Sequence, residues 1–138
     1  MFDNCLYFNT TALARALERE WAKAFGPFFL TPSQAFMLRV VLKKPSLLQS
    51  ELAKEMAISR STATRALDGL QKMGLVERRR TESDGREYAI HPTAQAQAMK
   101  ESLNAASAVV TKRLKDELGQ RQFEETVLQV KSIRTTLM

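Results

Sequence analysis

Between Ser59 and Gly74 the chain reads SRSTATRALDGLQKMG, with small hydroxyls and long cations recurring on one side of a helical wheel. With Ser61 set at zero and about 100° per residue, Ala63, Ala66, Leu67 and Leu70 fall together between about 140° and 240°. Ser61, Thr64, Arg65, Asp68 and Lys72 gather opposite them. The apolar side must face a core, which leaves the polar side free to meet a ligand. Short side chains in a first helical turn allow close backbone approach, a helix N-terminus favours phosphate, and a guanidinium fork matches the edge of guanine. This is the chemistry of duplex DNA recognition; an ordinary solvated face is the competing reading. Arg60, at about 260°, lies on the flank of the buried side and suits a backbone phosphate contact better than base reading. Asp68 needs a cation if it is to sit near phosphates, and Arg65 and Lys72 stand three and four residues away.

Bond-making chemistry has no comparable support. There is no Gly-rich phosphate loop, no nucleophile with a matching base and no acid pair in a recognisable motif, so the chain is not expected to be an enzyme. One cysteine, Cys5, and one histidine, His91, make no protein-only metal cluster within a monomer, and no metal or cofactor is expected. His91 reads as a strand-end residue. The single cysteine also excludes an intrachain disulfide framework, which fits a reducing, cytoplasmic compartment. The most apolar stretch, AFMLRVVL, is short and broken by Arg39, so neither export nor membrane insertion is signalled.

The elements that must position residues 59 to 74 follow from pattern. Leu6, Leu13, Leu17, Trp21 and Phe25 recur at helical intervals over residues 4 to 25, until Gly26-Pro27 ends the run. Thr31-Pro32-Ser33-Gln34 is a capping box that opens a second helix running to about Lys44. Pro45 closes it, and Leu48, Leu52 and Met56 mark a short helix near 48 to 56. Ser59 caps the next helix and Gly74 stops it. Leu75 to Arg80 and Arg86 to His91 read as strands of a hairpin joined by Thr81-Glu82-Ser83-Asp84-Gly85. Thr93 opens a long helix with Met99, Leu103, Ala106, Val110, Leu114 and Leu118 in its stripe, and after Gly119 a last helix carries Phe123, Val127, Val130 and Leu137. The chain is therefore mainly α with a small β-hairpin, and 138 residues with 44% hydrophobic content suit one folded unit.

A short helix, a tight turn and a second helix match the helix-turn-helix layout. The hairpin beside it adds Arg78, Arg79, Arg80 and Arg86, and an arginine near the tip such as Arg86 suits a narrow, negative minor groove. Lysine and arginine outnumber aspartate and glutamate by 21 to 15, a net charge of +6 that favours anionic partners.

At these residues the sequence resembles the MarR family of winged helix-turn-helix transcriptional regulators, over essentially the whole chain. ELAKEMAISRSTATRALDGLQKMGLVERR followed by SDGREYAIHPT is similar to that family's recognition helix and wing, with its wing pattern standing here as Asp84, Arg86, Ile90 and Thr93. The resemblance implies that Ser61, Thr62, Thr64 and Arg65 contact the major groove and Arg86 the minor groove, with Asp84 holding the wing. Three positions depart from the family pattern: Ala57 in the helix-turn-helix turn, where glycine is common, Pro92 before Thr93, and Ala96. The layout is then an N-terminal dimerisation helix (1–30), a winged helix-turn-helix DNA-binding domain (31–92) and C-terminal dimerisation helices (93–138).

The winged core is too small to cover the apolar stripes at both ends of the chain. A two-fold pairing of terminal helices would bury Leu6, Leu13, Leu17, Trp21, Val110, Leu114, Phe123, Val127 and Leu137 isologously; an intrachain bundle is the alternative. Two recognition helices in such a homodimer read pseudo-palindromic double-stranded DNA with half-sites about 10 bp apart. The function expected is that of a transcriptional regulator, a repressor, released by an effector. Trp21, Phe25, Phe28, Phe29 and Phe36 cluster where members of the family often hold small phenolic ligands, a small aromatic effector here, with core packing as the other reading. Some members sense peroxide through a cysteine on the first helix, but the matching position falls on Tyr7, two residues from Cys5, and the plainer reading of Cys5 is a buried or inert thiol.

Overall fold

The computed structural model describes residues 1–81 and 87–138. In chain order the elements are α1 (Leu6–Phe25), a 3₁₀ turn (Gly26–Phe28), α2 (Pro32–Lys43), β1 (Leu47–Leu48), α3 (Gln49–Glu55), α4 (Arg60–Lys72), β2 (Val76–Arg80), β3 (Tyr88–Pro92), α5 (Ala94–Leu118) and α6 (Gln120–Leu137). The three strands form one antiparallel sheet in the order β1-β3-β2. β1 is an addition to the hairpin expected from sequence. Only two residues long, with Leu47 opposite Ile90 and Leu48 opposite Ala89, it is too short to produce a period-two pattern.

Hydroxyl caps fix the starts of α2, α4 and α5. Thr31 Oγ1 accepts from the Gln34 amide at 3.2 Å while Gln34 Oε1 accepts from the Thr31 amide at 3.0 Å, the reciprocal box legible in the sequence. Ser59 Oγ accepts from the Thr62 amide at 3.2 Å, and Thr93 Oγ1 accepts from the Ala96 amide at 3.2 Å. The Thr93 hydroxyl also donates to the Gly74 carbonyl at 2.7 Å, which ties the start of α5 to the end of α4. Caps of this kind contribute about 1 kcal/mol each.

Two helices end in the same way with different residues. After α4, the Leu75 amide donates to the Leu70 carbonyl and the Gly74 amide to the Gln71 carbonyl, both at 3.0 Å, with Gly74 at φ +73°. After α3, Ile58 donates to Ala53 at 3.1 Å and Ala57 to Lys54 at 3.0 Å, the same paired pattern, but here the left-handed position at φ +55° is an alanine. The helix-turn-helix turn therefore keeps its geometry despite the missing glycine, at the steric cost of a Cβ crowding a carbonyl. Ala57→Gly is expected to raise stability by roughly 0.5–1 kcal/mol once the extra freedom of glycine in the unfolded chain is subtracted. Urea unfolding checks this, and a lower midpoint would contradict it.

The core sits under the sheet, where Met37 and Leu38 of α2, Leu52 of α3, Leu67 and Leu70 of α4, Leu75, Ile90 of β3 and Leu103 of α5 are fully buried with Phe25. A polar network joins the winged lobe to the long helices. The buried Ser107 hydroxyl of α5 accepts from Trp21 Nε1 of α1 at 3.0 Å and from Arg39 Nη1 of α2 at 3.1 Å, and Arg39 Nε donates to Asn104 Oδ1 at 2.7 Å. Arg39 also lies 4.9 Å from the Phe36 ring centroid, and burial pushes its guanidinium below the ordinary arginine value. On the outside of the same helices Arg113 of α5 hydrogen-bonds Glu20 of α1 and holds that carboxyl below the usual range. Among the described residues no single helix is long and apolar enough to cross a membrane.

Candidate nucleic-acid interface

α4 divides as its wheel requires. Ala63, Leu67 and Leu70 are buried and Ala66 packs against the core, while Ser61, Thr64, Arg65, Asp68 and Lys72 are exposed. Arg60 and Arg65 are exposed and make no ion pair within the described residues. Thr62 is half-buried, because its hydroxyl turns back to the cap: Ser59 Oγ donates to Thr62 Oγ1 at 2.9 Å. Since Ser59 has one proton and gives it to Thr62, the 3.2 Å bond between Ser59 and Ser61 uses the proton of Ser61. The first turn thus carries a chain of three hydroxyls that can turn outward to acceptors at little cost.

Two side chains shape this face in ways the sequence did not show: Arg78, expected among the outward cations of the hairpin, and Gln49, which no motif singles out. Asp68 pairs with neither Arg65 nor Lys72, as helical spacing suggested, but with Arg78 of β2, whose Nη1 lies 2.8 Å from Asp68 Oδ1. The same nitrogen is 2.8 Å from Gln71 Oε1, and Nη2 donates to the Thr64 carbonyl at 3.4 Å. Arg78 is therefore a clamp between β2 and α4, not one of the cations offered outward by the hairpin. The signal was available: Val76 and Arg78 share a strand face, Val76 is buried, and Arg78 stands opposite the buried Ile90. The second residue is Gln49, at the start of α3, whose Nε2 donates to Thr64 Oγ1 at 3.0 Å. Its neighbours Ser50, Arg60, Ala63, Thr64, Glu87 and Tyr88 line a small notch of about 240 Å³ at the junction of α3, α4 and the wing. Arg80, at the outer end of β2, lies 5.8 Å from the Tyr88 ring centroid. Arg79 is occupied by Glu77 at 3.0 Å. Asp84, Arg86 and the turn from Glu82 to Arg86 lie outside the described residues.

The short helix, the turn at Ala57, the exposed face of α4 and the three-stranded sheet together make a winged helix-turn-helix. Residues 30–87, which contain all of these except β3, match the sequence model of the MarR family. Over that stretch, less than half of the chain, the sequence is similar to the MarR family. A protein of Thauera aromatica named as a transcriptional regulatory protein for the hcr operon is 36% identical over 64 residues, 46% of this chain. The match spans 39% of that relative's length. Among solved structures, the transcriptional repressor CouR bound to a 23-mer DNA duplex superposes with a TM-score of 0.84 at 24% identity, covering 96% of this chain and 94% of CouR. Reduced AbfR bound to DNA superposes with a TM-score of 0.83 at 25% identity, covering 97% and 90%. The shared fold reaches beyond the winged lobe to α1, α5 and α6.

On those outer helices Leu6 (62% exposed), Leu13, Val127 and Leu137 (80% exposed) face outward, Leu17, Trp21, Leu114 and Phe123 are half-buried, and Val110 is buried within its own chain. The aromatic residues near the α1–α2 join do not form one cluster. Phe25 is buried and meets Phe36 edge-on at 5.8 Å, Phe29 is exposed, and Trp21 and Phe36 share a groove of about 450 Å³ with Leu17, Pro32, Met56 and Ile58. Cys5 is not buried: it is exposed just before α1, at a chain end that packs against no core residue.

Proposed function

We propose that the chain acts as a homodimeric repressor that reads a pseudo-palindromic duplex with the outer face of α4. The observation that carries the reading is the separation on α4 of a fully packed side, Ala63, Leu67 and Leu70, from an exposed side of Ser61, Thr64 and Arg65 that forms no ion pair within the described residues. Arg65 reads a guanine edge, Ser61, Thr62 and Thr64 line the closest approach to the bases, and Arg60 takes a phosphate. Arg86 enters the adjacent minor groove and Asp84 holds the wing; both assignments rest on the sequence pattern alone. CouR and AbfR, whose folds this chain shares, have been solved on DNA, which supports the placement of α4 in a groove.

The homodimer is supported by α6, which has no buried residue in the single chain. An 18-residue helix with Val127, Leu128, Val130, Ile133 and Leu137 all exposed has an apolar stripe without a partner, and an isolated helix of that length is marginal in water. A second copy covers it. The groove beside Trp21 and Phe36 lies between α1 and the winged lobe, so a small aromatic effector seated there would change the angle between them and the spacing of the two α4 helices.

Titration of the protein against a duplex from upstream of its own gene, beside a scrambled duplex of equal length, tests the reading. Two protomers per duplex and a preference on the order of a thousand-fold or more are expected at physiological salt. Equal, steeply salt-sensitive affinity for both duplexes would overturn it and leave a winged helix used as a scaffold.

A further inference from the structure

We propose that Gln49 is a specificity-determining residue: it holds the Thr64 hydroxyl as an acceptor toward the major groove, so that one position of each half-site must present an amino group, adenine or cytosine. The inference rests on the DNA-reading role of α4 and concerns what one residue on it selects.

A hydroxyl has one proton and two lone pairs. Thr64 Oγ1 gives its proton to the Arg60 carbonyl at 2.9 Å, one turn back in α4, and receives the Gln49 Nε2 proton at 3.0 Å on one lone pair. Turning the proton toward the groove would set a lone pair against the Arg60 carbonyl while Gln49 still occupies the other site. One lone pair is left, on an exposed side chain in the second turn of the recognition helix. In the major groove the donors are adenine N6 and cytosine N4, whereas guanine and thymine present acceptors at the corresponding place. A bare threonine can accept or donate and discriminates weakly. With both of its internal bonds made, Thr64 faces an acceptor base with like polarity. Gln49 does this from the half-buried start of α3, at the edge of the notch shared with Arg60 and Tyr88, where it positions Thr64 without having to touch a base.

The experiment selects bound duplexes from a pool with a randomised central segment, using the full-length wild-type protein. Single base-pair changes of the selected duplex are then measured against wild type, Thr64→Val, Gln49→Met, Gln49→Asn and the double variant Thr64→Val/Gln49→Met. Wild type is expected to lose roughly ten-fold in affinity when the adenine or cytosine at one position of each half-site is exchanged for guanine or thymine. Thr64→Val removes that preference, and so do both Gln49 variants, since asparagine is one methylene too short to reach Thr64. The double variant is no less selective there than either single one, and the salt dependence is unchanged in all, because no phosphate contact has been altered. Selectivity at the Thr64 position that survives both Gln49→Met and Gln49→Asn overturns the proposal, as does a guanine or thymine preference there in wild type. If wild type enriches no sequence, the DNA-reading role and this inference fail together; if it enriches one and the Gln49 variants keep its profile, this inference alone fails.

Discussion

Val127→Glu is expected to turn the protein from dimer to monomer and to weaken binding to a two-half-site duplex on the order of a hundred-fold or more. Val127 is 51% exposed in the single chain and lies in the α6 stripe with Val130 and Leu137. A carboxylate there removes apolar contact and places like charges near each other across a two-fold axis. Joining two recognition helices makes the second half-site contact intramolecular, with an effective concentration in the millimolar range, and that advantage disappears when the protomers separate. The winged core should stay folded, because none of its buried residues comes from α6. Sedimentation and fluorescence anisotropy measure the two effects on the same samples. A variant that remains dimeric would move the interface away from α6, and a monomer that binds as well as wild type would remove dimerisation from the mechanism.

Arg78→Met should cost both stability and DNA affinity. Arg78 holds Asp68, Gln71 and the Thr64 carbonyl from β2, and its side chain is 16% exposed. Asp68, half-exposed, is partly repaid by water when the clamp is lost, so the stability loss is about 1–2 kcal/mol, below that of a fully buried charge pair. The larger effect is on binding, roughly ten-fold or more, because an unpaired carboxylate then stands on the DNA-facing side of α4 and the wing loses its fixed angle to that helix. Adding Asp68→Asn to Arg78→Met should restore part of the affinity by removing the stranded charge, which a purely structural role for the clamp would not produce. Urea unfolding and anisotropy separate the two terms.

The contrast between Arg78 and Arg65 shows where the sequence could be read and where it could not. Arg65 follows from one helix and its wheel, a local pattern, and the structure places it exposed as the wheel requires. Asp68 was matched to Arg65 and Lys72 because helical spacing makes only intrahelical neighbours visible, whereas its partner lies ten residues on, across a helix-strand junction. The same blindness applies to Gln49 and Thr64, fifteen residues apart, and to the Trp21–Ser107–Arg39 network. Caps and stops at Thr31, Ser59, Gly74 and Thr93 were legible because each is a contact within a few residues or a backbone preference of one. β1 was not, since two residues held by Ile90 and Ala89 carry no period of their own.

The claim that the outer face of α4 reads bases is tested most directly by the binding of Arg65→Ala to a selected duplex and to each of its single base-pair variants. A base-reading arginine predicts that the preference at one position of each half-site collapses, at a cost of about 1–3 kcal/mol on the selected duplex, while the other positions keep their preferences. Uniform weakening on every duplex, with the wild-type profile intact, would make Arg65 a phosphate contact and contradict it.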